Sequence, residues 1–167
     1  VAGQSNDIIT ACYSTGNVTA KKNSLDDSFA GGVVGLNNDG AILTACYATG
    51  DVKGEAKYVG GVVGDNSSIV TACYHATGNV TGAIENIGGV AGRNYNSSIL
   101  MACYWGGIVT SERGIGIDMT NDSEAQKVEG DWEGAVSKMN SVLADYDWQW
   151  TIVSPNTLPT LKKKETN

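Results

Sequence analysis

Apolar residues in this chain come in short bursts, and the bursts recur at a fixed distance. One is Gly60-Gly61-Val62-Val63-Gly64, followed by a polar corner, Asp65-Asn66-Ser67-Ser68, and then Ile69-Val70-Thr71-Ala72-Cys73-Tyr74. After a second corner, Thr77-Gly78, comes Asn79-Val80. The same words occur earlier as Gly31-Gly32-Val33-Val34-Gly35 with Thr44-Ala45-Cys46-Tyr47, and later as Gly88-Gly89-Val90-Ala91-Gly92 with Met101-Ala102-Cys103-Tyr104. Val1-Ala2-Gly3, with Ala11-Cys12-Tyr13 in step behind it, reads as a first unit whose opening glycines are missing. The last glycines of the blocks, at 3, 35, 64 and 92, lie 32, 29 and 28 residues apart. A period of that length marks stacked units, none able to bury its apolar face alone.

Each unit predicts two or three short strands. Glycine recurs inside the apolar bursts and β-branched residues dominate them, both of which disfavour helix. Asn, Asp, Ser and Gly crowd the corners because their side chains bond nearby backbone or tolerate left-handed conformations. In Ile42-Leu43-Thr44-Ala45-Cys46-Tyr47 apolar residues fall on both parities, so the strand either has both faces covered or bends. From cysteine to the next motif glycine the first interval holds four or five extra residues, within the polar stretch Lys21 to Ser28, which reads as a tolerated surface bulge rather than a recognition loop.

Beyond Val109 the repeat stops. Residues 111–129 are polar and glycine-bearing and read as a connecting segment. Trp132, Ala135, Val136, Met139, Val142, Leu143 and Tyr146 then recur at helical spacing, predicting a capping helix over about 132–146 with Asp131 as its N-cap. Trp148 to Val153 alternates as a strand, Pro155 and Pro159 mark turns, and Lys162-Lys163-Lys164 reads as a frayed tail. The expectation is therefore an all-β solenoid of about four coils over 1–110, the first truncated. A connecting segment, a helix and a terminal strand over 111–167 would cover its end.

Composition narrows the function classes. At 167 residues and 41% hydrophobic content the chain can bury a core, and 22 glycines suit tight corners. A net charge of −7 argues against nucleic acid, whose phosphates need a basic face. No run of 18 apolar residues is present, so no membrane span is expected in this stretch. Because the chain starts inside a repeat, it reads as a piece of a longer protein with further domains expected on the N-terminal side. Cys12, Cys46, Cys73 and Cys103 hold one place in the unit. Their spacing fits no zinc pattern, and stacked parallel cysteines are awkward for a disulfide, so buried thiols are the plainer reading.

Candidate chemistry is sparse. His75 is the only histidine, an extra residue in Tyr74-His75-Ala76, and reads as a surface corner. No serine lies in Gly-x-Ser-x-Gly. Asp26, Asp27, Asp51, Asp65, Asp118, Asp122 and Glu124 could hide a glycosidase pair or oxygen ligands for calcium, yet they sit where turns want them. The aromatics are the more pointed candidates. Tyr13, Tyr47, Tyr74 and Tyr104 fall at one position, and Trp105 replaces a small residue. If exposed, Tyr47, Tyr74, Tyr104 and Trp105 would form a ladder for stacking against sugars. If buried, they would knit the sheet together.

The alternation of Gly-Gly-Val-Val-Gly with Ala-Cys-Tyr-Ala-Thr-Gly-Asp-Val, over residues 1 to about 110, resembles the GLUG-motif repeat of bacterial, Bacteroides-type surface proteins. Trp132, Met139-Asn140, Leu143, Trp150 and Leu158-Pro159-x-Leu161 resemble the closing segment of such arrays. The resemblance implies a β-solenoid on a secreted or cell-surface bacterial chain, beside adhesin or peptidase domains. It brings no catalytic residues and no cofactor, and the His-Glu-x-x-His of neighbouring zinc peptidase domains is not in this sequence. The expected function is a non-catalytic spacer or adhesin-like presentation module, whose partner would be a host or microbial surface glycan or protein. The alternative is a glycan-binding module using the exposed aromatics.

Overall fold

The computed structural model describes residues 2–21, 28–82, 86–120, 122–154 and 157–165. Val1, residues 22–27 of the expected bulge, and Pro155 lie outside them. The chain winds as a β-solenoid. One full coil runs through the strands Phe29–Gly31, Val34–Asn37, Ile42–Thr44, Tyr47–Ala48 and Val52–Gly54. The next repeats them as Tyr58–Gly60, Val63–Asn66, Ile69–Thr71, Tyr74–His75 and Val80–Gly82. Successive coils pair in parallel and in register, building stacked sheets of five, three, four, five and three strands. Val63 lies on Val34 and under Ala91, and Tyr74 lies between Tyr47 and Tyr104. The stacking expected from the repeat is what the chain adopts.

Each coil has more strands than the two or three expected, because one alanine per coil cuts the apolar burst. Ala11, Ala45, Ala72 and Ala102 all take left-handed conformations, with φ of 55°, 52°, 52° and 50°. That bend resets the alternation, so Leu43 and Cys46, three apart, both face the interior. A left-handed L-residue costs roughly 1–2 kcal/mol, and the column is offset by burial: Ala45, Ala72 and Ala102 pack beneath the C-terminal segment. The interior is filled by stacked columns of like residues, among them Val33, Val62 and Val90, Leu43, Val70 and Leu100, and Cys46, Cys73 and Cys103. The second glycine of each pair is dictated by close approach. A Cβ on Gly32, Gly61 or Gly89 would lie 2.6, 2.5 and 2.4 Å from atoms of Ala48, His75 and Trp105 respectively.

Polar groups inside the stack are matched rung to rung. Asn37 donates to Asn66 and Asn66 to Asn94, each at 2.8 Å, and Asn94 passes the chain on to Ser123 at 2.7 Å. The amide of Asn66 also donates to the Ser68 carbonyl and accepts from its N–H, holding the corner closed. Ser5 occupies this column in the first coil, and the Asn37 carbonyl oxygen that faces it is buried without a partner among the described residues.

The structure departs from expectation after Val109. The segment 111–129, expected to be a connection, supplies a further partial coil: Ile115–Asp118 adds a fifth strand beside Ala91–Asn94, and Ala125–Lys127 pairs with Cys103–Trp105. Gly116 explains why, since it repeats the close contact of the motif glycine before it (a Cβ there would lie 2.6 Å from the Gly92 carbonyl oxygen). The helix α1, Glu133–Val142, is shorter than the expected 132–146. The N-cap is Trp132, without a side-chain cap, rather than the expected Asp131, which lies one residue ahead and accepts the Glu133 N–H at 2.8 Å. At the other end Lys164 donates to the carbonyls of Leu143 and Ala144, both at 2.8 Å. The lysines are thus no frayed tail: Thr160–Lys163 pairs antiparallel with Trp148–Thr151, and Lys164 places a cation on the carbonyls just past the helix C-terminus, where the dipole favours it.

This terminal unit docks on the flank of the stack. Trp132, Ala135, Val136, Met139, Leu143 and Trp150 form one buried cluster with Ala45, Ala72, Ala102, Tyr74 and Tyr104, which belong to three successive coils. Asn140 ties helix to strand, donating to the Trp150 carbonyl at 2.9 Å and accepting its N–H at 2.7 Å.

Replacing Asn66 by alanine removes a donor and an acceptor that buried neighbours rely on, and we expect a loss of about 2–4 kcal/mol in urea unfolding. Ser5→Asn should act oppositely, giving the Asn37 oxygen its donor and raising the unfolding midpoint. A neutral Asn66→Ala would show that the ladder does not hold the coils.

Candidate functional site

The aromatic column is the feature the sequence offered to a ligand. Tyr13, Tyr47 and Tyr74 stack nearly parallel, with ring centroids 5.2 and 5.1 Å apart. Only the first coil leaves its ring open, Tyr13 being 60% exposed. Tyr47 is half-buried with the edge of Trp150 against it at 5.8 Å. Tyr74 is 0% exposed, lies between Trp132 and Trp150, and donates its hydroxyl to the Pro159 carbonyl at 2.6 Å. Trp150 in turn donates its indole N–H to the Ala72 carbonyl at 3.0 Å, a group the left-handed bend leaves facing outward. Tyr104 is buried as well, and burial raises the Tyr47, Tyr74 and Tyr104 hydroxyls above their ordinary pKa, keeping them neutral.

Trp105 points the other way, into the stack, where its ring fills the space beside Gly89. The candidate contacts Tyr74, Tyr104 and Trp105 therefore present no open ring face to a sugar, because the chain's own helix, hairpin and interior occupy those faces. Only the Tyr13 end of the column, with part of Tyr47, remains accessible.

His75 corrects a second expectation. It is no surface corner: its side chain is fully buried in the column of Ala48 and Trp105, wedged against Gly61. Nε2 lies 3.0 Å from the Gly50 carbonyl oxygen and therefore donates to it, while Nδ1 is buried without a partner among the described residues. Burial pulls its pKa below the ordinary value, outweighing the carbonyl and the more distant Asp51 that favour the cation. His75 stands one repeat from the buried small residue Ala48, a signal that reads only once the direction of that column is known.

The cysteine column is interior, as the thiol reading required, with Cys12 half-exposed at the open end and the other three buried and free. The N–H groups of Cys12 and Cys46 point at the sulfur one coil ahead, each at 3.4 Å. Burial and the adjoining thiols push Cys73 up, whereas the hydrogen bond that Cys46 receives from it pulls Cys46 down.

Among the described carboxylates that could have formed a catalytic pair or an ion site, Asp118 is engaged within its own turn, and Asp51 and Glu124 accept backbone N–H groups of other coils. Asp51 accepts the Asn79 N–H at 2.8 Å, and Asp118 accepts from Thr120 and Ser123. Asp26 and Asp27 lie outside the described residues. Among those described, no group of three or more His, Cys, Asp or Glu is placed to hold a metal ion.

Asp65 is held by a side chain instead, and sequence reasoning missed that partner. Buried on the sheet face, it takes a two-pronged ion pair from Arg93, whose Nε donates to Oδ1 at 2.8 Å. The Arg93 guanidinium also lies over Tyr58 and Tyr95, 4.4 and 4.9 Å from the ring centres. The two charges stand one repeat apart in the same column, between Leu36 and Ile117, so the period itself pairs them.

Comparison with family models, with curated proteins and with solved structures returned no match.

The buried imidazole sets a pH dependence. With the folded pKa below the unfolded value of about 6.5, the unfolded chain takes up the proton first. The stability of neutral His75 is then complete above pH 6.5 and declines as pH falls from there toward the folded pKa. Urea unfolding between pH 7 and 5 should show this slope, at most about 1.4 kcal/mol per pH unit. His75→Ala should flatten it, whatever its effect on stability at pH 7; an unchanged slope would place the titration elsewhere.

Proposed function

We propose that this chain is a non-catalytic, rigid solenoid segment, related to the GLUG-motif repeats, that spaces or presents a binding region on a secreted or cell-surface bacterial protein. The observation that carries this reading is the in-register stacking of coil on coil across five parallel sheets. Each coil adds one strand spacing, about 4.8 Å, of length. Such a stack is extended or shortened in steps without altering its cross-section, which is the property a spacer needs. Burial of Tyr74, Tyr104 and Trp105 speaks against the glycan-binding alternative, because their ring faces are occupied. No helix among the described residues is long and apolar enough to cross a membrane.

Removing one repeat, residues 36–64, joins Gly35 to Asp65 and keeps the Asp65–Arg93 pair and the docked helix. The shortened chain should still unfold cooperatively, and small-angle scattering should find it shorter by about one strand spacing, roughly 5 Å. A chain that fails to fold without that coil would remove the spacer reading. On a glycan array the intact chain should give no signal; binding abolished by Tyr13→Ala or Tyr47→Ala would replace the spacer with a glycan-binding module.

A further inference from the structure

The flank next to the docked helix carries a second apolar column that the described residues leave partly open. Ile8, Ile42, Ile69 and Ile99 pair rung upon rung in the four-stranded sheet. Their neighbours Ile9, Leu43, Val70 and Leu100 belong to the interior cluster, so the four isoleucines lie on the outer face. Ile8 is 64% and Ile99 47% exposed, and Ile42 and Ile69 are half-buried. Met101 and Met119, both exposed, widen the column at its C-terminal end. Two shallow grooves run beside it and share Ile99 as a wall. Spread over four coils, this is a contiguous aliphatic stripe rather than scattered surface residues, which is the pattern of an interaction site.

The rim of the stripe states the charge of what would cover it. The corner segments 5–8, 37–42, 66–69, 94–101 and 117–124 contain no lysine or arginine, and Asp7, Asp39 and Asp122 are exposed there. Arg93, in the strand that leads into one of these corners, is already held by Asp65. The shape of the partner follows from spacing. Rungs repeat at about 4.8 Å, and residues on one face of an α-helix repeat at about 5.4 Å per turn, so three helical turns laid along the stripe stay close to step. On the adjoining flank α1 and its hairpin cover the tyrosine column, so an outward column of this stack already takes a helix-bearing unit.

We infer that the isoleucine stripe is a docking surface for a basic amphipathic helix of a partner protein, about three turns long, with its aliphatic face on the stripe and lysine or arginine along the side that meets the acidic corners. The inference deepens the presentation reading by naming what the rigid segment would present. The two fail separately, because loss of a coil tests the spacer and a helical peptide tests the stripe.

The test uses the intact chain and three labelled synthetic 14-residue peptides. One places leucines on a single helical face with lysines elsewhere, the second replaces those lysines by glutamates, and the third keeps the lysines but scrambles the leucines. Fluorescence anisotropy should show binding of the first peptide only. That binding should weaken at least tenfold in the double variant Ile69→Lys, Ile99→Lys, whose unaltered circular dichroism would show that it still folds, and fall further as salt rises. Equal binding of the scrambled peptide, no binding of any, or full binding by the double variant would overturn the inference. So would a concentration-dependent dimer of the intact chain abolished by the same double variant, since a second copy would then be the occupant.

Discussion

Everything in this molecule answers to one requirement: each rung of the stack must accept the rung above it at a strand spacing of about 4.8 Å. Backbone hydrogen bonds fix that distance, so side chains in a column meet their equivalents whether or not they suit one another. Small aliphatic groups suit one another well, which is why valine, leucine and cysteine fill the inward columns. An amide suits another amide, because it both donates and accepts, and asparagine therefore persists through three coils where a lone polar side chain would be costly. Glycine is required wherever two legs of a coil touch. Its recurrence reflects this contact between legs more than flexibility.

Exceptions to likeness are informative because the register leaves them no way to escape. Along one outward column the side chains run Leu36, Asp65, Arg93, Ile117, two charges placed between aliphatic neighbours. Asp65 alone would be a buried charge at a cost of several kcal/mol. Placed on adjacent rungs they meet at hydrogen-bond distance, and Tyr58 and Tyr95 complete the surroundings of the guanidinium. The column of Ala48, His75 and Trp105 solves a different problem, growing bulkier coil by coil against a glycine that never changes. His75 is the strained member of that series, since an imidazole has one more polar atom than the site can satisfy.

The period made the stack legible from sequence: once Val63 is placed on Val34, parallel sheets and like-on-like columns follow. What stayed hidden depended on direction rather than on pattern. The left-handed alanines were not foreseeable from residue type, because alanine is no usual choice for that conformation, and with them went the true number of strands. The inward turn of Trp105 and His75 was hidden for the same reason. The partial coil at 115–127 escaped because its glycines match the motif while its apolar residues are too few to show a repeat. The lysine run looked like tail because charge is usually solvated, and nothing local announced that Lys164 would find the carbonyls of Leu143 and Ala144 at the end of α1. The aromatic site was legible as a column but not as a covered one, since helical periodicity in 132–146 says that a face is buried without saying against what.

That covering defines where recognition can reside. The interior columns are committed to stacking, and a change in any of them is felt by the rungs above and below. The tyrosine flank is committed to the chain's own helix and hairpin, through Trp150 and the hydroxyl of Tyr74. Outward columns away from that flank are free of both demands, so they can differ from coil to coil without disturbing the stack. Yet the isoleucine column does not differ: it keeps the same β-branched side chain through four coils while its neighbours vary. Strand propensity alone would be met as well by the threonine that recurs two residues later, at lower cost in exposed apolar surface. A repeated aliphatic choice on the open flank is therefore the feature that the solenoid's own stability explains least, and it points outward.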